Sequence, residues 1–467
     1  MFIAREEELK FLEMQMKSKR FEMIPIYGRR RVGKTRLIEE FTRDKKTIFF
    51  TADQLGEASN LKNLSRAINS LIIGGVADAV YESFQDAFEA VAKYASQTTD
   101  PIVFVIDEYP YMASSLDGIS SVLQRTIDKE YLQIPNLMLI LTGSQMSFME
   151  RQVMGYQSPL YGRRTGQIKL RPLTFDEARN FLPTMNIYDF LTIYGITGGI
   201  PLYLSLMEDD WSLEDNIKQK LLTRNTILHE EPKNLLLQEL RTPDRYNAIL
   251  MAIARGATKL NEISDKTDIE SGLLVSYINT LMELEIIEKR EPMIKSGKRK
   301  GIYYIKDGLF HFWYRYIPHY TNFLNFGQMD QIWSQIERDL IQFTSLIFED
   351  FCRNWVLRLN DPLVREAGGW WGNNPLVKNS KANAEEIDVI GLGLEDDELV
   401  IGECKWRNEE TSLKVGEKLV ERAEFFPHEK KYLYVFSKSA FSEGLKEYAE
   451  NHQIQLVTYE EMVEINY

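Results

Sequence analysis

Apolar residues fall along this chain in two rhythms, and their alternation predicts the architecture. Short continuous runs at Met23-Ile24-Pro25-Ile26-Tyr27, Thr47 to Ala52, Ile102 to Ile106 and Leu137 to Leu141 read as strands buried on both faces of a parallel sheet. Between them lie stretches with helical spacing. FIAREEELKFLEMQM, entered through a short extended piece, places Leu9, Leu12 and Met16 on one stripe. TRLIEEF carries Leu37, Ile38 and Phe41, and a polar helical stretch covers about 57 to 96. Strands alternating with helices predict a doubly wound α/β domain over residues 1–170.

From about Leu170 the rhythm becomes helical: FDEARNFL, NIYDFLTIYGI, PLYLSLM and SLEDNIKQKLL predict a lid subdomain over 171–242. Gly198-Gly199-Ile200-Pro201 interrupts it, the glycines allowing a tight turn and Pro201 able to open the next helix. Residues 243–307 form a separate pattern, with helices over Asp244–Ala254, Leu260–Thr267 and Ser271–Glu285, then IIEKREP, the basic turn SGKRKG and IYYI. Three helices and a hairpin make a winged helix-turn-helix, with the third helix as recognition element and Lys295, Lys298, Arg299 and Lys300 as wing tip. A protein-contact spacer with a solvated basic turn is the competing reading.

DGLFHFWYRYIPHY reads as a packed helix, since aromatics mainly supply buried area. It leads into a second α/β domain over 308–467. The pattern there predicts a helix at Phe343–Leu359, an irregular AGGWWG segment, and strands around Glu386–Gly391, Glu398–Cys404, Lys431–Phe436 and Gln455–Val457. No internal repeat is visible.

Composition narrows this α/β multidomain picture. A chain of 467 residues is too long for one core. Two cysteines, Cys352 and Cys404, cannot build a disulfide framework, and five scattered histidines show no ligand pairing. No apolar run approaches bilayer length, and MFIAREEELK is acidic where a signal peptide is basic, so the sequence reads as cytoplasmic with no membrane partner. A net charge of −13 confines any nucleic-acid contact to a local patch.

Chemistry concentrates first in IPIYGRRRVGKTRLI, a strand, a G-x4-G-K-T loop and a helix. Gly28 and Gly33 let backbone approach phosphates, and the loop N–H groups with the helix N-terminus attract them. Lys34 would reach the β- and γ-phosphates, Thr35 would place its hydroxyl on Mg²⁺, Arg36 opens the helix beside them, and Arg29, Arg30 and Arg31 in the loop tip are available for triphosphate or partner contacts. Asp107 and Glu108 end a buried strand downstream, where Asp107 can hold the Mg²⁺ shell and Glu108 can orient the attacking water. Ser144 ends the neighbouring strand, placed to sense the γ-phosphate. Arg163 and Arg164 could supply positive charge in cis or from a second subunit of a homo-oligomer, or be surface charges.

FIAREEEL, GRRRVGKT, VFVIDEY, LTGSQ, LYGRRTGQIKLRPL and GGIPLYL together resemble the archaeal-type ATPase family, a branch of P-loop ATPases near the AAA+ and STAND groups, over roughly residues 1 to 240. The resemblance implies ATP and Mg²⁺ as cofactors, the roles above for Lys34, Thr35, Asp107, Glu108 and Ser144, and a position near nucleotide for Gly199 and Pro201. Ala4 stands where the family's N-terminal signature has glycine. The winged helix followed by YYIKDGLFHFWYRYI resembles the family's C-terminal extension, a restriction-endonuclease-like domain.

That extension has its own chemistry. Glu403-Cys404-Lys405 on a strand throws Glu403 and Lys405 to one face, and Asp388 ends EEID on a neighbouring strand. Asp388 and Glu403 could hold Mg²⁺, Lys405 could polarise water, and Glu349 on IFEDFC is the third acid. This order matches the PD-(D/E)XK nuclease pattern over about 340–440. A buried salt bridge between Lys405 and Glu403 is the plainer alternative. The expectation is an ATP-hydrolysing switch that binds DNA through the winged helix and C-terminal domain and cleaves it with Mg²⁺. The alternative is an ATP-driven signalling or scaffold protein with an inactive nuclease-like domain.

Overall fold

The computed structural model describes residues 2–74, 79–240, 242–294, 301–376 and 384–464. The chain divides into two compact units, one of residues up to Phe181 with Gly199–Ser205, the other of Leu182–Gly198 with the chain from Leu206 onward.

In the first unit the apolar runs become β1 (Glu22–Tyr27), β2 (Lys46–Thr51), β3 (Ile102–Asp107) and β4 (Leu137–Gly143), joined by the two-residue β5 (Ile168–Lys169). They form one parallel sheet in the order β2-β3-β4-β1-β5. Strands β1, β3 and β4 are buried throughout, so alternate side chains enter two cores, Phe104 and Leu139 with Phe88 on one face and Val103 and Ile140 with Leu37 on the other. Each such side chain contributes roughly 1.5–3 kcal/mol by leaving water.

β1 sits inside the sheet yet contains Pro25, which cannot donate a ladder hydrogen bond. The Met23 N–H and C=O both turn towards Thr165 on the β5 side, so the Pro25 nitrogen two residues on faces that side too. β5 pairs only with Ile26 and Tyr27, and the missing donor falls where the ladder has not begun.

The N-terminal helix runs Glu6–Met16, but its entry is not the extended piece expected: Ala4 and Arg5 have φ of 61° and 78°. A reversed turn there aims the Arg5 side chain inward, where it is buried and donates to the carbonyl of Arg171 at 2.5 Å. Positive φ costs a residue with a Cβ about 1–2 kcal/mol, which gives a physical reason for glycine at the Ala4 position.

The second unit begins with helices at Ile187–Thr197, Leu213–Asn216 continuing through Ile217–Leu222, and Ile227–Glu239. Helices Pro243–Ala254, Leu260–Thr267 and Ser271–Glu283 then precede an antiparallel pair, β6 (Ile287–Arg290) and β7 (Ile302–Ile305). The expected wing tip, Lys295, Lys298, Arg299 and Lys300, lies outside the described residues. Helix Ser271–Glu283 contains no lysine or arginine, and its outward positions include Leu273 (52% exposed) and Val275 (40%).

The aromatic run is the helix Gly308–Asn325, with Phe310, Phe312 and Trp313 buried, and Phe343 lies midway along the long helix Met329–Val356. A mixed sheet follows: β8 (Val364–Asn373), β9 (Ala384–Gly393), β10 (Glu398–Lys405), β11 (Lys430–Ser437) and β12 (Ile454–Thr458), in the order β12-β11-β10-β9-β8. AGGWWG, expected to be irregular, is the middle of edge strand β8. Its glycines and two register shifts against β9 erase the period-two pattern, while Trp370 anchors the strand against Phe426. Among the described residues no helix is long and apolar enough to cross a membrane.

Candidate functional site

The phosphate loop is shaped by close backbone approach. Leu170 N–H donates to Tyr27 O at 2.7 Å, which brings the Leu170 carbonyl against Gly28, where a Cβ would stand 2.3 Å from its oxygen. Gly33 caps the helix Lys34–Thr42 at a φ of 97°, a conformation that glycine adopts freely. The Lys34 side chain is buried, and its ammonium donates to the carbonyls of Gly28 (2.9 Å) and Arg29 (3.2 Å), tying the end of the loop back to its start.

The end of β3 supplies acids at two depths. Asp107 is buried; it accepts a short hydrogen bond from the Thr142 hydroxyl and another from the Thr35 hydroxyl at 3.5 Å. Burial pushes its carboxyl above the usual range, the Thr142 hydrogen bond opposing and the neighbouring Glu108 charge adding to the rise. Glu108 adopts a φ of 53°, which turns its carboxylate out of the strand line. Ser144 holds it there, its hydroxyl donating at 2.9 and 3.0 Å and its N–H at 3.3 Å.

Lys34, Thr35, Arg36 and Glu108 line a cavity of about 560 Å³ together with Arg5, Arg30 and Arg31. Phe2, Ile3, Phe181 and Pro201 supply apolar wall. Five cations against one carboxylate, in a chain of net charge −13, make a pocket suited to a polyanion with an apolar end. The Thr35 hydroxyl beside a buried carboxylate is an oxygen pair of the kind Mg²⁺ takes.

Pro201 enters this wall as the first residue of a short helix, 3.9 Å from where a Cβ on Gly33 would be, and Gly199 accepts from Leu173 N–H at 2.8 Å. Arg163 and Arg164 do not line the cavity. Arg163 is held in a two-pronged pair by Asp128 at 2.6 and 2.7 Å, and Arg164 donates to Gln167. Arg5 is the cavity residue that sequence reasoning passed over. Its signal was the arginine inside FIAREEEL, which is easily taken for one charge among several on an amphipathic helix.

In the C-terminal sheet β10 lies between β9 and β11, and Gly402 opposes Val389, which brings Glu403 beside Asp388. Lys405 donates to Glu403 at 2.7 Å and stands 3.8 Å from Asp388. Asp388 also accepts from Cys404 N–H at 2.8 Å. The other Glu403 oxygen is taken by Arg422 at 2.5 Å, and Arg422 also holds Glu385 at 2.9 Å. Glu349 reaches the group through Arg353, which donates to Glu349 (3.0 Å), Asp350 (2.6 Å) and the Asp388 carbonyl (2.8 Å).

All four sequence-assigned residues therefore meet, but as an ion network. Burial raises the Glu349 carboxyl first, and the Asp388 charge raises it further; burial and the Glu403 charge raise Asp388, with Lys405 opposing. Two carboxyls raised by burial and by neighbouring acidic charge are a condition that a divalent cation would relieve. Among the described residues no three His, Cys, Asp or Glu side chains converge as a ready-made metal cage. Mg²⁺ commonly takes one or two carboxylates and completes its shell with water and phosphate, so Asp388 and Glu403 fit it as a pair.

Comparisons with known proteins place this geometry. Residues 2–207 match the model of an ATPase domain predominantly from Archaea, and residues 313–416 match archaeal and bacterial proteins of unknown function. An uncharacterized protein of Methanocaldococcus jannaschii is 33% identical over 415 residues, spanning 87% of this chain and 88% of that one. An uncharacterized ATP-binding protein of the same organism is 52% identical over 46 residues, 10% of this chain and 78% of that one. Among solved structures, a Walker-type ATPase of Pyrococcus abyssi superimposes with a TM-score of 0.51 at 20% identity, over 67% of this chain and 96% of that one, a likeness of fold. With its phosphate loop, its strand-end acids and a relative matched over most of both lengths, this chain belongs to the P-loop ATPase family found predominantly in Archaea.

Proposed function

We propose that the chain binds and hydrolyses MgATP in the cavity beside Lys34 and that the ATPase cycle governs a metal-dependent DNA-cleaving C-terminal domain. The observation that carries the first half is the cation-rich 560 Å³ cavity with Glu108 on its wall. Lys34 and the loop N–H groups bind and orient the phosphates; Thr35 and Asp107 would hold Mg²⁺, which supplies charge neutralisation on the transferring phosphoryl group. Glu108, steadied by Ser144, orients and accepts a proton from the attacking water.

For the second half, Lys405 between Glu403 and Asp388 is what a PD-(D/E)XK site provides: carboxylates for a metal and an ammonium to polarise water. Glu349 is the third acid of this reading. DNA would be held through the basic turn 295–300 and the C-terminal domain. The experiment is DNA cleavage by the full chain with Mg²⁺ or Mn²⁺ and nucleotide varied together. Cleavage that needs metal and responds to ATP supports the reading; none under any combination overturns its nuclease half.

A second reading is favoured by one observation. The third helix of the winged-helix segment presents Leu273 and Val275 and no cation, which suits a protein surface better than phosphates. The chain would then be an ATP-driven signalling or scaffold protein, with Glu403, Lys405 and Arg422 as a structural ion network. Salt dependence separates the two: DNA binding weakened by removing charge at Lys298, Arg299 and Lys300, with a flatter salt slope, supports the first.

A further inference from the structure

The arginines that the sequence offered for transition-state charge, Arg163 and Arg164, are engaged away from the cavity. A different arginine stands on its wall. Arg30, in the phosphate loop, lines the same cavity as Lys34, Thr35 and Glu108, and its Nη2 donates to the Tyr111 hydroxyl at 2.7 Å. Tyr111 belongs to the short helix Tyr109–Ser115 that begins directly after Glu108, and its N–H donates to the Glu108 carbonyl at 2.9 Å.

That turn is rigid. Pro110 is fixed at its start, with its ring against Gly143, where a Cβ would stand 2.8 Å from Pro110 Cγ. Tyr109 is fully buried and its hydroxyl pairs with Ser120 at 2.7 Å, while Tyr111 packs partly against the core of the unit. One turn of helix therefore ties the backbone of Glu108, which carries the water-orienting carboxylate, to a loop arginine by two hydrogen bonds at opposite ends of the same tyrosine. We propose that Arg30 is the residue that contacts the terminal phosphate of ATP in cis, and that Tyr111 is the positioning residue that sets its guanidinium relative to Glu108.

The inference rests on the MgATP reading of the cavity. Lys34 holds the loop by its carbonyls and reads phosphates as a point charge; a guanidinium offers a planar fork that meets a terminal phosphate with two donors. Because the phosphate it meets is present in ATP and absent from ADP, Arg30 would confer preference between the two nucleotides, which a residue that merely shapes the loop would not.

The test is calorimetric binding of the β,γ-imido analogue of ATP and of ADP, each with Mg²⁺, to the full chain and to Arg30→Ala, Arg30→Lys and Tyr111→Phe. Arg30→Ala should weaken the analogue by about tenfold to hundredfold and ADP by less than about threefold, the range of one lost charge-assisted contact. Tyr111→Phe should move the same ratio in the same direction by a smaller factor, and Arg30→Lys should recover part of it. Equal losses on both nucleotides, or no loss on either, overturn the proposal. A parent chain that binds neither nucleotide overturns the MgATP reading beneath it. Turnover per chain that stays constant on dilution supports supply in cis; turnover that rises with protein concentration overturns it.

Discussion

The phosphate-loop cavity and the β10 cluster handle charge in opposite ways. The cavity collects Arg5, Arg30, Arg31, Lys34 and Arg36 around a single wall carboxylate. The β10 cluster pairs Lys405 and Arg422 with Glu403, and Arg353 with Glu349, yet still leaves Glu349 and Asp388 pushed upward by burial and by neighbouring charge. A wall of one sign is costly to assemble and is relieved by a ligand of the other sign. A cluster that is largely balanced can stand as structure alone, so its chemistry has to be demonstrated separately. This is why the ATPase half follows from family and geometry together, while the nuclease half depends on a cleavage experiment.

The largest expected effect is in the cavity. Glu108→Gln should lower ATP hydrolysis by about 10²–10⁴-fold, the range of a general base, while nucleotide affinity stays near that of the parent. Lys34→Ala should lose both, as read by phosphate release and by calorimetry. Normal hydrolysis in both variants would mean that the wall of positive charge serves another anion.

In the β10 cluster, Asp388→Asn and Lys405→Ala should each reduce metal-dependent DNA cleavage by about 10²-fold or more, with ATP hydrolysis unchanged. Parent-like cleavage in either variant would erase the functional side of the comparison. Arg422→Met tests the structural side. It leaves the Glu403 and Glu385 charges partly uncompensated in a buried place, for an expected loss of about 3–5 kcal/mol in the urea unfolding of this part of the chain. A change under about 0.5 kcal/mol would show that the network is not what steadies the sheet.

The smallest effect is a pH dependence. Glu349 and Asp388 have folded-state pKa values above their ordinary ones, so between neutral pH and the ordinary carboxylate range near 4 the folded state binds more protons than the unfolded. Their contribution therefore makes the protein more stable as pH falls into that window and less stable as pH rises out of it. Mg²⁺ should raise the melting temperature most at alkaline pH, with the gain shrinking on acidification, and Asp388→Asn should flatten both trends. A Mg²⁺ effect independent of pH and of Asp388 would remove the cation from this cluster.

Much of this was readable in the chain because buried parallel strands and phosphate loops leave strong local signals. Ile102 to Ile106 cannot be mistaken for a surface segment, and Gly28, Gly33, Lys34 and Thr35 follow from how backbone meets phosphate. What was hidden depends on contacts distant in sequence. β5 has only Ile168 buried and exists because Leu170 must reach Tyr27. β8 looks irregular because its glycines make room, Gly368 for Met293 among them, and its pairing with β9 is nowhere written in its own pattern. Arg5 needs the reversed backbone at Ala4, and the fate of Arg163 was decided by Asp128, thirty-five residues away. Pairings of that kind are properties of the folded chain.

Pro25 has a last consequence, for polar groups that burial would otherwise strand. A parallel sheet whose outer strand is only two residues long leaves the upstream part of β1 without a ladder partner on that side, although all of β1 is buried. Thr165 satisfies both backbone groups of Met23, and Pro25 brings no N–H that would need a partner there. The proline thus lets a deeply buried strand border an unfinished ladder without an orphaned donor.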